Sequence, residues 1–264
     1  MLCVKNAAKG EMSDENSEPD LPRGVALAWS PQREPKRELS VDRIVDAAVD
    51  IADADGLAAV SMGRVAASLG FATMSLYRHL SAKEDLILLM QEQGVGLPPK
   101  DITSAPNWRE GLRRWAAANG ALYRAHPWLA EIPISGIPTT PHLLAWMDAA
   151  LAVLHDTPLP DAERIGALLL VMSHTHWEAV VKHGYAMSAR SGQGVAIDSS
   201  ALLGLITSEA LPHVSRLARS GAFGGIDDPF TFGLERILDG IEQHMVHESG
   251  DSDDASVTRS ETAG

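Results

Sequence analysis

The segment Ser61–Leu80 reads SMGRVAASLGFATMSLYRHL, two short helical patterns that meet at a glycine. In the first, Met62, Val65, Ala66 and Leu69 recur at spacings of three and four, behind a Ser61 able to cap the first turn. Gly70 ends it at a natural C′ position. The second pattern runs from about Thr73 to Leu80, with Leu76 and Leu80 four apart and turned to a core. Thr73, Met74, Tyr77 and Arg78 then share the outward side. A link as short as Gly70-Phe71-Ala72 permits the wide interhelical angle of a helix-turn-helix. In that motif the second helix enters the major groove of DNA and the first crosses the backbone. The outward types suit a groove: hydroxyls for phosphates or base edges, a methionine for thymine methyls, an arginine for guanine or phosphate. Tyr77 and His79 can donate to phosphate, and Lys83 opens the next helix.

The flanks are helical as well. Ser40 can cap a helix with Ile44, Ala47, Ala48, Ile51 and Ala52 on one face, ended by Gly56. Ser81 opens another, with Lys83, Glu84 and Asp85 in its first turn and Leu86, Ile87, Leu89 and Met90 behind. Beyond residue 106 longer helices are predicted over 107–125, 140–155, 161–187, 199–220 and 229–247, with Pro212 kinking or splitting the fourth. No strand alternation is convincing, so an all-α fold is predicted: a helix-turn-helix unit over 39–90 and a helical bundle over 91–247. Residues 1–38 and 248–264, rich in acids, prolines or small polar residues, are predicted to be disordered tails.

Charge separates the regions. The chain of 264 residues carries a net −13, which taken whole argues against a nucleic-acid binder. Residues 1–22 hold −3 and residues 84–264 hold −11, whereas residues 23–83 hold +1. The segment with the helix-turn-helix escapes the acidity of the rest, and local field governs contact with a polyanion. The basic run Arg33, Lys36, Arg37 could reach the minor groove as a flexible arm or be an inert tail. No apolar run spans a membrane and no leader pattern is visible, so the cytoplasm is the expected location. The single cysteine, Cys3, excludes an internal disulfide and a cysteine metal site.

These residues resemble the DNA-binding domain of the TetR family of bacterial repressors. The similarity covers residues 40–86. It is carried by Ile44-Val45-Asp46-Ala47-Ala48, Gly56-Leu57, Ser61-Met62, Val65-Ala66-Ala67-Ser68-Leu69-Gly70, Ser75-Leu76-Tyr77-Arg78-His79-Leu80 and Lys83-Glu84-Asp85-Leu86. Leu80 departs from the pattern, where an aromatic residue is frequent, but at a core position. The resemblance implies that Thr73, Met74, Tyr77 and Arg78 face bases. It implies that Ser61, Arg64, Ser75, Tyr77, His79 and Lys83 touch the DNA backbone. Trp108-Arg109-Glu110-Gly111-Leu112, Trp115-Ala116 and His126-Pro127-Trp128-Leu129 resemble the C-terminal domain of the tetracycline-repressor subgroup. That implies a dimer with one small-molecule pocket per subunit.

Five of the six tryptophans lie at 108–177. Tyr123, His126, Trp128, Trp146, Met147, Met172, His174 and Trp177 offer the apolar lining and few polar tips of a ligand pocket, or ordinary core. His174 and Glu178 share a helical face but His176 points elsewhere, and two ligands do not make a zinc site. No catalytic signature or phosphate loop is present, so no metal, no cofactor and no enzyme are expected. Leu168, Leu169, Val171 and Met172 with Leu234, Ile237, Leu238 and Ile241 could form a four-helix dimer interface, or cover their own subunit's core. The reading is a homodimeric repressor on a palindromic operator, released by a small hydrophobic or aromatic effector. An activator, a DNA binder without an effector, and a helical protein that borrowed the DNA unit stay open.

Overall fold

The structure, a computed structural model, describes residues 21–30, 39–133, 136–191, 210–220 and 228–261. Its regular elements are helical, with no strand among the described residues. The first five are α1 (Arg23–Trp29), α2 (Val41–Asp55), α3 (Met62–Leu69), α4 (Thr73–Leu76) and α5 (Lys83–Val95). The rest are α6 (Trp108–Ala125), α7 (Pro141–Leu154), α8 (Asp161–Ser191), α9 (Pro212–Arg219) and α10 (Pro229–Glu261). Single 3-10 turns occupy Leu57–Ala59 and Pro127–Glu131.

Local chemistry sets most boundaries. Ser40, Ser61 and Asn107 accept from the N–H of Arg43, Arg64 and Glu110 at 3.3, 3.2 and 2.9 Å, each satisfying a free donor of the first turn. At the start of α5 the expected cap Ser81 is displaced. Ala82 holds the cap position, and Asp85 reaches back to accept from the N–H of Ser81 and Ala82. Pro212 begins α9 rather than kinking a longer helix, since its missing N–H is no loss in a first turn. The remainder of that predicted helix, 199–209, lies outside the described residues.

Two tail expectations change. Residues 23–29, inside the predicted disordered extension, form α1. Seven residues do not hold a helix alone; α1 exists because Leu27 and Ala28 pack on the core and α5 lies beneath it. The rest of that extension, with Arg33, Lys36 and Arg37, lies outside the described residues. At the other end, α10 runs on to Glu261 instead of stopping at 247, and no proline interrupts it after Pro229.

One apolar cluster runs through the molecule. Ile44, Val65, Leu76, Leu80 and Leu86 close the N-terminal unit, and Leu112, Trp115, Trp128, Leu154, Val171 and Leu238 close the bundle. α5 serves both, packing on α1 and α2 and, further along, on α7.

Candidate DNA-binding interface and its link to the bundle

Gly70 adopts φ 77° and ψ 25°, the left-handed conformation. Its N–H and that of Phe71 close back on Ala67 and Ala66 at 3.1 and 2.9 Å, which finishes α3 and turns the chain into α4. The α-helical part of α4 is shorter than predicted, Thr73–Leu76, and single turns continue it through His79 and Leu80, both bonded to the Leu76 carbonyl at 2.9 Å. Leu76 and Leu80 are fully buried and anchor the element. Met74 (73% exposed) and Tyr77 (42% exposed) stand outward, with Arg78 exposed and Ser75 and His79 half-buried beside them. An exposed methionine of this size has no packing role here, which fits a surface kept for a partner. Thr73 is half-buried next to Gly63, where an added Cβ would sit 3.7 Å from its hydroxyl. Lys83 is half-buried at the first turn of α5.

The two arginines of the motif differ. Arg64 on α3 pairs with Asp55 at the end of α2, so its charge is answered within the fold. Arg78 donates only to the neutral Ser75 hydroxyl, at 3.3 Å. Sequence reasoning missed Arg23, which crosses from α1 to donate to the Arg78 carbonyl at 3.2 Å and to Ser81 Oγ at 2.9 Å. Only the excess of basic residues over 23–37, in contrast to the acidic residues before it, hinted at it.

Several residues expected to line a pocket instead join the N-terminal unit to the bundle. Trp128 is 1% exposed and donates its indole N–H to Asp53 Oδ1 of α2 at 2.6 Å. His126 Nδ1 lies 2.8 Å from the same oxygen. Trp146 donates to the Gly96 carbonyl at 3.0 Å and meets Trp115 edge-on at 5.8 Å. Beside it the Glu92 carboxylate accepts the His142 N–H at 2.9 and 3.1 Å, filling the capping role that Thr140 leaves undone at α7. A further tie runs from Trp29 of α1, whose indole N–H donates to the Thr139 carbonyl at 2.9 Å. In each of these residues the polar tip is spent on a contact across the junction.

The remaining candidates separate. His174 stacks on Phe230 at 5.3 Å, and its Nε2 lies 2.9 Å from the Phe230 carbonyl, so it is a satisfied packing residue against α10. Trp177 is 67% exposed and points away from the bundle interior. Tyr123, Met147 and Met172 stay half-buried against the core on the mutually packed α6, α7 and α8. Tyr123 Oη lies 3.0 Å from Nδ1 of His176, a residue the helical wheel had set aside. Burial pushes the Tyr123 phenol up to about 12 and pulls His176 down, so both are neutral at ordinary pH. Asn119, one turn before Tyr123, has a buried side-chain oxygen with no partner. Two cavities, of about 460 Å³ beside Arg164 and about 320 Å³ beneath α1, are lined by none of the eight predicted pocket residues. Among the described residues no group of three His, Cys, Asp or Glu side chains is placed to hold a metal ion. No helix among them is long and apolar enough to cross a membrane.

Of the eight predicted dimer residues all but Leu169, which is 48% exposed, turn inward. Leu168, Val171, Leu234, Leu238 and Ile241 are buried within this chain, with Met172 and Ile237 packed against the same core. The outward stripe of α8 is instead Leu169, Leu170, Trp177, Val181 and Tyr185. α10 is held to α6 by ions: Glu235 accepts from Arg113 at 2.6 and 2.8 Å and from Arg109 at 2.7 Å, and Arg109 also pairs with Asp239. The Arg113 and Arg109 guanidinium groups hold the Glu235 carboxyl down at about 2.

Comparison with known proteins agrees with this architecture. The family described as "Bacterial regulatory proteins, tetR family" matches residues 44–90, the stretch containing α3, the Gly70 turn and α4. "Tetracyclin repressor-like, C-terminal domain" matches residues 102–245. The chain belongs to the TetR family. It is thus a DNA-binding transcriptional regulator of that family and not an enzyme. It is 34% identical over 254 residues to the HTH-type transcriptional repressor DrrR1 of Streptomyces coeruleorubidus, covering 88% of this chain and 90% of that protein. Among solved structures it resembles apo ActR from Streptomyces coelicolor, with 25% identity and a TM-score of 0.65 over 79% of this chain and 98% of that one. ActR in complex with actinorhodin gives 26% identity and a TM-score of 0.64, covering 79% and 99%.

Proposed function

We propose that this regulator is a repressor that binds a palindromic operator as a homodimer and leaves it when a small aromatic or hydrophobic effector enters the bundle. The observation that carries the reading is the outward set Met74, Tyr77 and Arg78 on an element anchored by buried Leu76 and Leu80. In this reading Thr73, Met74, Tyr77 and Arg78 face base edges, and Ser61, Ser75, His79 and Lys83 meet the backbone. Arg64 contributes less, its charge being taken by Asp55. The names of relatives support regulation by a ligand: DrrR1 is a repressor, and ActR is known in complex with actinorhodin.

Within the bundle, Tyr123, His176, Met147, Met172 and the unpartnered oxygen of Asn119 are the side chains proposed to meet the effector. His126, Trp128 and Trp146 transmit rather than bind, through Asp53 and Gly96. The exposed stripe of α8 packs on its two-fold mate, setting two reading elements about one DNA turn apart, ~34–36 Å. To move the DNA-competent population from 99:1 to 1:99, the effector must prefer the other state by ~5.5 kcal/mol. The protein works in the cytoplasm, at its operator.

Selection of bound duplexes from a random DNA pool tests this. A recovered palindrome with half-sites one turn apart is expected. Recovery of no shared sequence at low and moderate salt would overturn the reading.

A further inference from the structure

We infer that α1 extends the DNA-contacting surface, with Arg23 seating a phosphate of the operator backbone beside Arg78 and Lys83. The inference rests on the DNA-binding reading above and adds an element outside the matched segment 44–90.

Arg23 is exposed and lies at the corner where α4 gives way to α5. Its Nη2 donates to the Arg78 carbonyl at 3.2 Å and its Nη1 to Ser81 Oγ at 2.9 Å. Both acceptors are neutral, so these bonds position the guanidinium without answering its charge. The fork has five N–H donors, which leaves others for an outside anion. Arg64 in the same motif is the contrast, being paired with Asp55. Two acids lie in the first turn of α5: Asp85 gives its oxygens to the backbone N–H groups of Gly24, Ser81 and Ala82 at 3.0, 3.0 and 3.3 Å, and Glu84 is exposed to solvent.

The placement is built rather than incidental. Gly24 brings α1 against α5 so closely that a Cβ there would lie 2.9 Å from Asp85 Oδ1 and 3.1 Å from Leu88 Cδ2. At the far end Trp29 is tied to Thr139. A seven-residue helix pinned at both ends holds Arg23 with little rotamer freedom left to lose, which favours binding of an anion over the same residue on a loose arm. Arg78, whose carbonyl Arg23 holds, and Lys83 in the first turn of α5 add two cations to this corner against the exposed Glu84, on a chain of net −13, and a polyanion backbone is the partner that excess recognises.

The test uses the full chain and the duplex recovered by selection, with affinity read by fluorescence anisotropy from 50 to 200 mM KCl. Arg23→Gln keeps a donor for Ser81 and the Arg78 carbonyl but drops the charge. Its salt slope is expected to flatten by ~0.9, so its affinity falls ~3–4-fold less across that range than the wild type's. Arg23→Lys should keep the wild-type slope. Arg23→Met serves the same purpose if the glutamine variant does not fold. An unchanged slope overturns the inference, whether affinity is untouched or is lowered equally at every salt concentration; the latter would mean that Arg23 only braces the turn. A wild-type chain that selects no duplex overturns the DNA-binding reading and this inference with it.

Discussion

Asp53→Ala should weaken the joint between the reading unit and the bundle, and the size of the effect follows from its contacts. Asp53 Oδ1 takes the indole N–H of Trp128 at 2.6 Å and lies 2.8 Å from His126 Nδ1. Trp128 is 1% exposed, so once Asp53 is gone its N–H depends on water entering past the position of the one-third-exposed Asp53 side chain. An orphaned buried donor costs ~1–3 kcal/mol, and the lost bond to His126 adds ~1 kcal/mol. A total near ~3 kcal/mol lowers Tm by roughly 6–12 °C at this chain length. Asp53→Asn keeps an oxygen in place and should cost less than half as much. Urea unfolding followed by circular dichroism gives the free energies. A double-mutant cycle with Trp128→Phe, which removes the same N–H, should return a coupling of at least ~1 kcal/mol. An Asp53→Ala variant within ~0.5 kcal/mol of wild type, or alanine and asparagine variants of equal stability, would refute the reasoning.

Other outcomes follow from the same contacts. Glu235 has a carboxyl held at about 2 against an ordinary 4.5, chiefly by its hydrogen bonds to Arg113, so its contribution is complete above pH 4.5 and is lost as pH falls toward 2. After solvent screening that contribution is about 1–2 kcal/mol, and Glu235→Gln should remove it and flatten acid unfolding in this window. Met74→Ala should weaken operator binding with little change in Tm, whereas Leu76→Ala, emptying a fully buried site, should cost ~2–5 kcal/mol. Trp177→Glu on the exposed stripe of α8 should shift the protein from dimer to monomer in light scattering, with Tyr185→Glu doing the same.

The junction offers a physical route from bundle to DNA. α2 is tied through Asp53 to the turn after α6, and α5 through Glu92 and Gly96 to α7. A ligand that parts α6, α7 and α8 would pull on both ties, and α2 and α5 carry the helix-turn-helix between them. The route needs no long relay, because Trp128 donates directly to α2 of the reading unit and Trp146 to the Gly96 carbonyl that ends α5.

Local sequence was enough for the reading unit. The spacing of Met62, Val65, Ala66 and Leu69, the left-handed Gly70 and the pair Leu76 and Leu80 act within one or two turns, so period and capping specify them without knowledge of distant partners. The all-α class was legible for the same reason. What sequence left open was the role of side chains whose partners lie fifty or more positions away. A tryptophan's type does not say whether its N–H meets a ligand or a carbonyl. Only the packing of α2 and α5 on the bundle assigned Trp128 and Trp146 to the junction, and only the facing of α8 put Trp177 outside. α1 is the extreme case: too short to be helical by itself, it is a helix because α5 covers one side of it, and Arg23 reaches Arg78 solely through that contact.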